Sequence, residues 1–175
     1  MVEFGQDRNV AAIRSANCVY HFFFTENDMQ TKYMLEALKE AEKAYLCDEV
    51  PIGCVIVKDD KIIARAHNLR ESEQQATYHA EILAINQACQ YIHSWRLIDC
   101  DIYVTVEPCP MCAGAILLSR MANVIYGAKD YKGGAIESCF KMYDIKGFNH
   151  YPKVTSGIYE EECSKIIKKF FKNKR

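Results

Sequence analysis

The 175-residue sequence is most informative at first through what it lacks. No stretch approaches about eighteen consecutive apolar residues, so no membrane-spanning helix is expected. Neither sign of charge prevails. With 22 Lys+Arg against 23 Asp+Glu the formal net charge is −1, and the molecule as a whole is not an electrostatic nucleic-acid binder. There is no internal repeat and no low-complexity segment. A secretory leader is not expected either: the apolar patch 19–24 is short and interrupted by His21, and Glu3 and Asp7 spoil a basic start. Nine cysteines at irregular spacing form no even-numbered disulfide framework. They fit a reducing, cytoplasmic setting in which some thiols are small buried hydrophobes and others are free to bind metal. Cys54 and Cys139 lie among apolar neighbours and are expected to be buried.

What is present reads as one domain. Half of the residues are hydrophobic and about a quarter are charged, the composition of a soluble globular chain. Residues 1–28 differ in character from the rest and admit three readings: a flexible extension, an extra helix for a partner, or a start placed too far upstream; Met29, directly before the first strong helical pattern, favours the first and third. Without them the balance becomes 20 Lys+Arg against 19 Asp+Glu. From residue 29 to 175 the periodicity alternates between helix and strand. Residues 30–46 carry Met34, Leu35, Leu38, Ala41 and Tyr45 at helical spacing. Residues 52–66 read as two strands joined at Asp59-Asp60, and 68–77 as a polar loop. A helix over 79–92, a strand over 101–107, a helix over 111–120 and a strand over 123–128 follow. Residues 136–144 read as helical, 153–157 as a short strand, and the C-terminus as an amphipathic helix. This order predicts an α/β fold whose central sheet is covered by helices on both faces.

Two stretches carry chemistry. In "ATYHAEILA" (76–84), His79 and Glu81 stand two apart at the start of a helix-like run, a spacing that places them on different sides of a regular helix. Taken alone, the pair also fits a buried histidine beside a solvated glutamate. In "EPCPMCAGA" (107–115), Cys109 and Cys112 form a C-x-x-C, which on its own fits a structural zinc half-site, a redox pair or chance. It follows a strand and opens a helix, and Pro110 suits a first helical position. The free amides and positive dipole end there favour thiolates. A structural zinc requires four protein ligands. No second C-x-x-C exists, and His67, His93 and His150 have no partner at ligand spacing. His79, Cys109 and Cys112 make three ligands and leave the fourth position to water, as a catalytic zinc requires. Glu81 would then stand beside that water as proton carrier. H-x-E followed by P-C-x-x-C is the signature of zinc nucleobase deaminases.

Together with "VPIGCVIV", "AHN", "HAEILAIN", "VTVEPCPMCAGAILLSR", "VIYGAKD", "GGA", "GFNH" and the terminal "FFKNKR", this signature resembles the bacterial tRNA adenosine deaminase family over nearly all of residues 30–175. The resemblance implies a cytidine-deaminase-like fold, a three-layer α/β/α sandwich on a central five-stranded mixed sheet. It implies one Zn2+ per subunit, a cytoplasmic homodimer, and conversion of adenosine to inosine at the wobble position of a tRNA anticodon stem-loop. By this resemblance His79, Cys109 and Cys112 hold zinc, a zinc-bound hydroxide attacks adenine C6, and Glu81 shuttles the proton to N1 and the departing amine. Asn68 recognises the base, Pro51 and Ile52 form its apolar floor, and Ala80 belongs to the same pocket. Phe170 and Phe171 would meet the anticodon loop, with Asn149, Arg120 and Lys129 as further contacts. The family often carries a basic residue where this chain has Tyr151.

Simpler readings stand beside these. An asparagine in a polar loop fits turn chemistry, and Pro51 fits the first residue of a strand. The run "SKIIKKFFKNKR", with six basic residues in twelve, fits a solvated face as well as phosphate attraction and base stacking. Two rivals share the zinc motif: a free guanine or cytosine deaminase, and a non-catalytic RNA-binding subunit. "GGA", "GFNH" and the basic aromatic end speak against the first, and Glu81, which nothing structural requires, speaks against the second.

Overall fold

The computed structural model describes residues 26–174. The expectation for the N-terminal extension lies, up to residue 25, outside the described residues. The chain forms helix α1 (Glu26–Leu46), strands β1 (Gly53–Lys58) and β2 (Lys61–His67), a one-turn helix α2 (Arg70–Glu73), helix α3 (Ala80–Ile92), strand β3 (Cys100–Val106), helix α4 (Pro110–Leu118), strands β4 (Asn123–Ala128) and β5 (Lys153–Ser156), and helix α5 (Glu160–Asn173). Five strands make one mixed sheet in the order β2-β1-β3-β4-β5. β1 is antiparallel to β2 and β3, whereas β4 is parallel to β3 and β5.

The sheet is covered on both faces because its strands are apolar on both. Val55 and Val57 of β1, Tyr103 of β3 and Ile125 of β4 pack with Tyr33, Met34 and Ala37 of α1 and Cys163 of α5. The alternate residues Cys54, Ile56, Ile102, Val104, Val124 and Tyr126 pack with Ala80, Ala84, Ala88 of α3 and Ala113 and Ile116 of α4. The period of two along each strand therefore divides the core into two apolar layers. At Gly53 strand and helix backbones almost touch: a Cβ there would lie 2.0 Å from the Ala37 carbonyl oxygen and 2.3 Å from the Ala41 nitrogen.

The Asp59-Asp60 turn forms as expected. Both residues have positive φ, 49° and 57°, and Lys58 pairs with Lys61, the two-residue turn whose twist suits a hairpin. Three local expectations need correction. Residues 68–77 hold the short helix α2 within the polar loop. Residues 136–144 are not a helix; they are turns ending in a 3-10 turn at Met142–Asp144. Cys139 is exposed, while Cys54 is buried.

The reason for the missing helix is Glu107. Its carboxylate accepts hydrogen bonds from the backbone amides of Asp130 (3.2 Å), Ile136 (3.0 Å), Glu137 (2.7 Å) and Ser138 (2.9 Å), and from the Ser138 hydroxyl. Amides committed to a distant side chain cannot build a helical ladder. Gly134 permits the approach, since a Cβ there would lie 2.4 Å from the Glu107 carboxyl carbon. β4 and β5 are thus joined in parallel by a folded loop, residues 129–152, in place of a long helix.

Candidate active site

The sheet register brings the motif residues to one end of the molecule. β1 runs against β3 with Cys54 opposite Val104, and β2 returns with His67 opposite Gly53. The start of β1, the end of β2 and the end of β3 therefore lie side by side. The Gly53 amide donates to the Thr105 hydroxyl (3.2 Å), the Asn68 amide to the Ile52 carbonyl (3.1 Å), and the Leu69 amide to the Tyr78 carbonyl (3.0 Å). Residues 51–53, 68–69, 78–79 and 107–109 form one rim.

On that rim, His79 is the N-cap of α3 and Cys109 the N-cap of α4, both in extended backbone geometry (φ −76°, ψ 150° and φ −70°, ψ 171°). A cap residue lies outside the helical repeat, so its side chain is free to turn toward a neighbouring helix end. Pro110 occupies the first turn of α4, where its missing amide leaves no orphan donor. His79 Nδ1 lies 3.6 Å from Cys109 Sγ and 3.7 Å from Cys112 Sγ, and the three ligand atoms all lie within 4.8 Å of one another. For bonds of about 2.3 Å to sulfur and about 2.0 Å to nitrogen, the edge of a tetrahedral site is about 3.5 Å. The cluster thus has the spacing to hold a metal ion. It is the one such cluster of His, Cys, Asp or Glu among the described residues.

The electrostatics point the same way. A hydrogen bond from Cys112 holds the Cys109 thiol down to about 4, assisted by His79. Cys112 is raised in turn, first by that bond and then by burial. The hydrogen bond with Cys109 raises His79. Two thiols on one proton beside an imidazole are a donor set that a divalent cation can take over by displacing the proton.

Glu81, in the first turn of α3, is 3 % exposed. Burial pushes its carboxyl up to about 7. Its Oε2 is a buried polar atom with no hydrogen-bond partner among the described residues. A buried oxygen without a partner is costly unless a ligand or water completes it, and this one stands beside the three side chains spaced to hold a metal ion.

Of the remaining expected residues, Pro51 is buried, Ile52 is half-buried against the core, and Ala80 is fully buried. Asn68 is buried rather than displayed on a polar loop, and its Nδ2 donates to Glu49 Oε2 (3.0 Å). Asn149 is exposed on the loop leading to β5. Lys129 pairs with Glu137 (3.6 Å), and Arg120 is half-buried with φ 66°. The two phenylalanines separate. Phe170 is 7 % exposed, edge-on to Tyr45 and covered by Lys174, whereas Phe171 is 49 % exposed. Phe170 is thus the buried ring of the pair, and Phe171 the one open to a ligand. Tyr151 ties its own loop: its hydroxyl donates to the Ile145 carbonyl (2.6 Å) and accepts from the Phe148 amide (3.1 Å).

Two carboxylates went unassigned in the sequence reading, Glu49 and Glu107. Glu107 sits inside the quoted "EPC", an acid in an apolar strand exit; Glu49 closes a helical segment just before "VPIG".

Comparison with known proteins agrees with this geometry. Residues 28–175 match the model of the MafB19-like deaminases. A tRNA-specific adenosine deaminase of Bacillus subtilis (strain 168) is 51% identical over 143 residues, 82% of this chain and 89% of that protein. A structure solved in a study of A-to-I editing by tRNA deaminases at the wobble position superposes with a TM-score of 0.76 and 45% identity, covering 78% of this chain and 99% of that one. A guanine deaminase of Bacillus subtilis gives a TM-score of 0.54 and 30% identity over 66% of this chain and 85% of that one. The α/β/α sandwich on a five-stranded mixed sheet is therefore the cytidine-deaminase-like fold expected, and the chain belongs to the MafB19-like deaminases and to the family of the tRNA-specific adenosine deaminases.

Proposed function

We propose that this protein is a zinc-dependent hydrolase that converts adenosine to inosine at the wobble position of a tRNA anticodon stem-loop in the cytoplasm. The observation that carries the reading is the convergence of His79, Cys109 and Cys112 beside the buried, unpartnered Oε2 of Glu81. His79 Nδ1 and the two thiolates would hold one Zn2+ per subunit. When bound, zinc makes a water nucleophilic near pH 7. Glu81 takes a proton from the attacking water and delivers it to adenine N1, then takes the remaining proton of the added hydroxyl and delivers it to the departing amine, so that water is consumed and ammonia released. Asn68 reads the base edge, for which an amide both donates and accepts. Pro51, Ile52 and Ala80 give it an apolar seat from which bulk water is excluded. Phe171 and the lysines of α5 meet the loop, with Asn149 beside β5 as a further contact.

The similarity to a wobble-position deaminase exceeds that to a guanine deaminase in both identity and superposition, which favours the RNA substrate over a free base. An anticodon loop also offers splayed bases at little unstacking cost. A homodimer is part of the proposal. α4 is apolar on every side, yet Met111, Gly114 and Ala115 are half-exposed and Leu118 is 64 % exposed. A Cβ on Gly114 would meet nothing within 4 Å, leaving room for a second backbone. Sedimentation of the purified chain should give twice its 20.1 kDa mass, and Leu118→Glu the single mass; a monomeric wild type removes the dimer.

The substrate is tested by incubating the protein with an adenosine-containing anticodon stem-loop, with free guanine and with free cytosine. The expected result is a gain of roughly one dalton in the RNA, the amine-to-oxo exchange, with both free bases unchanged. Turnover of a free base alone would reverse the assignment.

A further inference from the structure

We infer that Glu49 is a positioning residue for base recognition, fixing the orientation of the Asn68 amide. The inference rests on the reading of Asn68 as the residue that meets the base.

Glu49 is 0 % exposed, yet no Lys, Arg or His pairs with it among the described residues. A carboxylate buried without a cation is unfavourable unless donors surround it. Here they do. Oε2 accepts from Asn68 Nδ2 (3.0 Å), and Oε1 accepts from the Ser72 amide (2.6 Å) and the Ser72 hydroxyl (2.7 Å). Burial raises the carboxyl, but the hydrogen bonds from Ser72, Glu71 and Asn68 outweigh it, so the group is held below the ordinary carboxylate range and stays ionised.

Space-filling does not explain this choice of residue. A leucine or methionine would fill the position without the desolvation that a buried charge suffers. What a carboxylate provides is polarity of one sign. It only accepts, so it takes the nitrogen of the Asn68 amide and rejects the oxygen. A half-turn about the last torsion of an asparagine exchanges donor and acceptor with almost no change of shape, and a free amide would therefore present two faces to a purine. With Nδ2 committed to Glu49, the amide has one orientation. Through Ser72 the same carboxylate ties α2, the segment just after Asn68, to the segment that carries Pro51 and Ile52. Recognition residue and pocket floor are thus built against a single anion.

The test is a double-substitution cycle measured as kcat and KM on the adenosine stem-loop. Asn68→Ala and Glu49→Gln should each lower kcat/KM by roughly 10- to 100-fold, the range for residues that orient a site's direct contacts. The loss should fall on kcat, because RNA affinity resides mainly in phosphate contacts elsewhere. The combined variant should be no worse than the poorer single one, since Glu49 acts through Asn68. Zinc content and thermal melting report whether each variant is folded; where Glu49→Gln is not, Glu49→Asp, which keeps the charge one methylene short, replaces it in the cycle. Losses that multiply in the combined variant would overturn the inference, as would full activity in the Glu49 variant while Asn68→Ala is impaired. Full activity of Asn68→Ala is a different failure: it removes Asn68 from base recognition, and Glu49 loses its role with it.

Discussion

In the proposed reaction three metal-holding side chains and one carboxylate do the chemistry, and each is separable by substitution. Among the described residues Glu81 Oε2 has no hydrogen-bond partner, and the proposed metal ligands are His79, Cys109 and Cys112. Glu81→Ala should retain the metal and lose at least about 10²-fold in turnover, the lower bound for a general acid–base group. Metal analysis alongside single-turnover rates checks this, and an equal fall in metal content would make Glu81 a ligand instead. The two terminal phenylalanines should separate in the same way. Phe171→Ala removes an exposed ring and should raise the RNA dissociation constant about 5- to 150-fold, the range for one stacked base, with melting unchanged. Phe170→Ala removes a ring packed on Tyr45 and should lower stability by about 3 kcal/mol. Equal effects of both on RNA binding would contradict this division.

At the scale of elements, helix ends and one buried acid organise the site. α3 and α4 begin at His79 and Cys109, so the sheet and its covering layers fix where the ligands meet. Glu107 fixes the loop 130–138 behind them. Burial alone would raise its carboxyl; the donors from Ser138, Glu137 and Asp130 lower it instead. A folded-state value below the unfolded one, about 4.3, gives stability that is fully present above that pH. It is lost as pH falls toward the folded value, because the unfolded chain takes up the proton first. Glu107→Gln should therefore lower the melting temperature at pH 7, by the equivalent of at least ~2 kcal/mol for donors left unsatisfied. It should also flatten the acid limb below about pH 4.3; an unchanged acid limb would remove Glu107 as its source. Elements held by local rules were legible in the sequence: the period of α1, the Asp-Asp hairpin and Pro110 at the start of α4. The false helix over 136–144 was not, since its amides answer to a side chain 29 to 31 residues away. Phe170 and Phe171 were taken together although successive helical residues point about 100° apart. Cys163, Ile167 and Phe170 mark the inward stripe, and Phe171 lies outside it.

At the scale of the whole molecule, a nearly neutral body carries a basic, aromatic terminal helix docked on the end of α1. Lys174 pairs with Asp48 (2.5 Å), and Asn173 Nδ2 donates to the Tyr45 hydroxyl (3.0 Å). The neighbour of Asp48 is Glu49, so the proposed RNA-facing helix and the base-recognition rim rest on adjacent residues. The metal cluster was readable from donor counting because a catalytic ion demands few side-chain types at defined places on helix starts. Glu49 and Glu107 were not, since their roles exist only once distant segments meet. The central claim is that His79, Cys109 and Cys112 together hold a catalytic ion, and zinc analysis of the purified chain beside Cys112→Ala tests it most directly. One zinc per chain in the wild type and a clear loss in the variant is the predicted result; the same zinc content in both would contradict it.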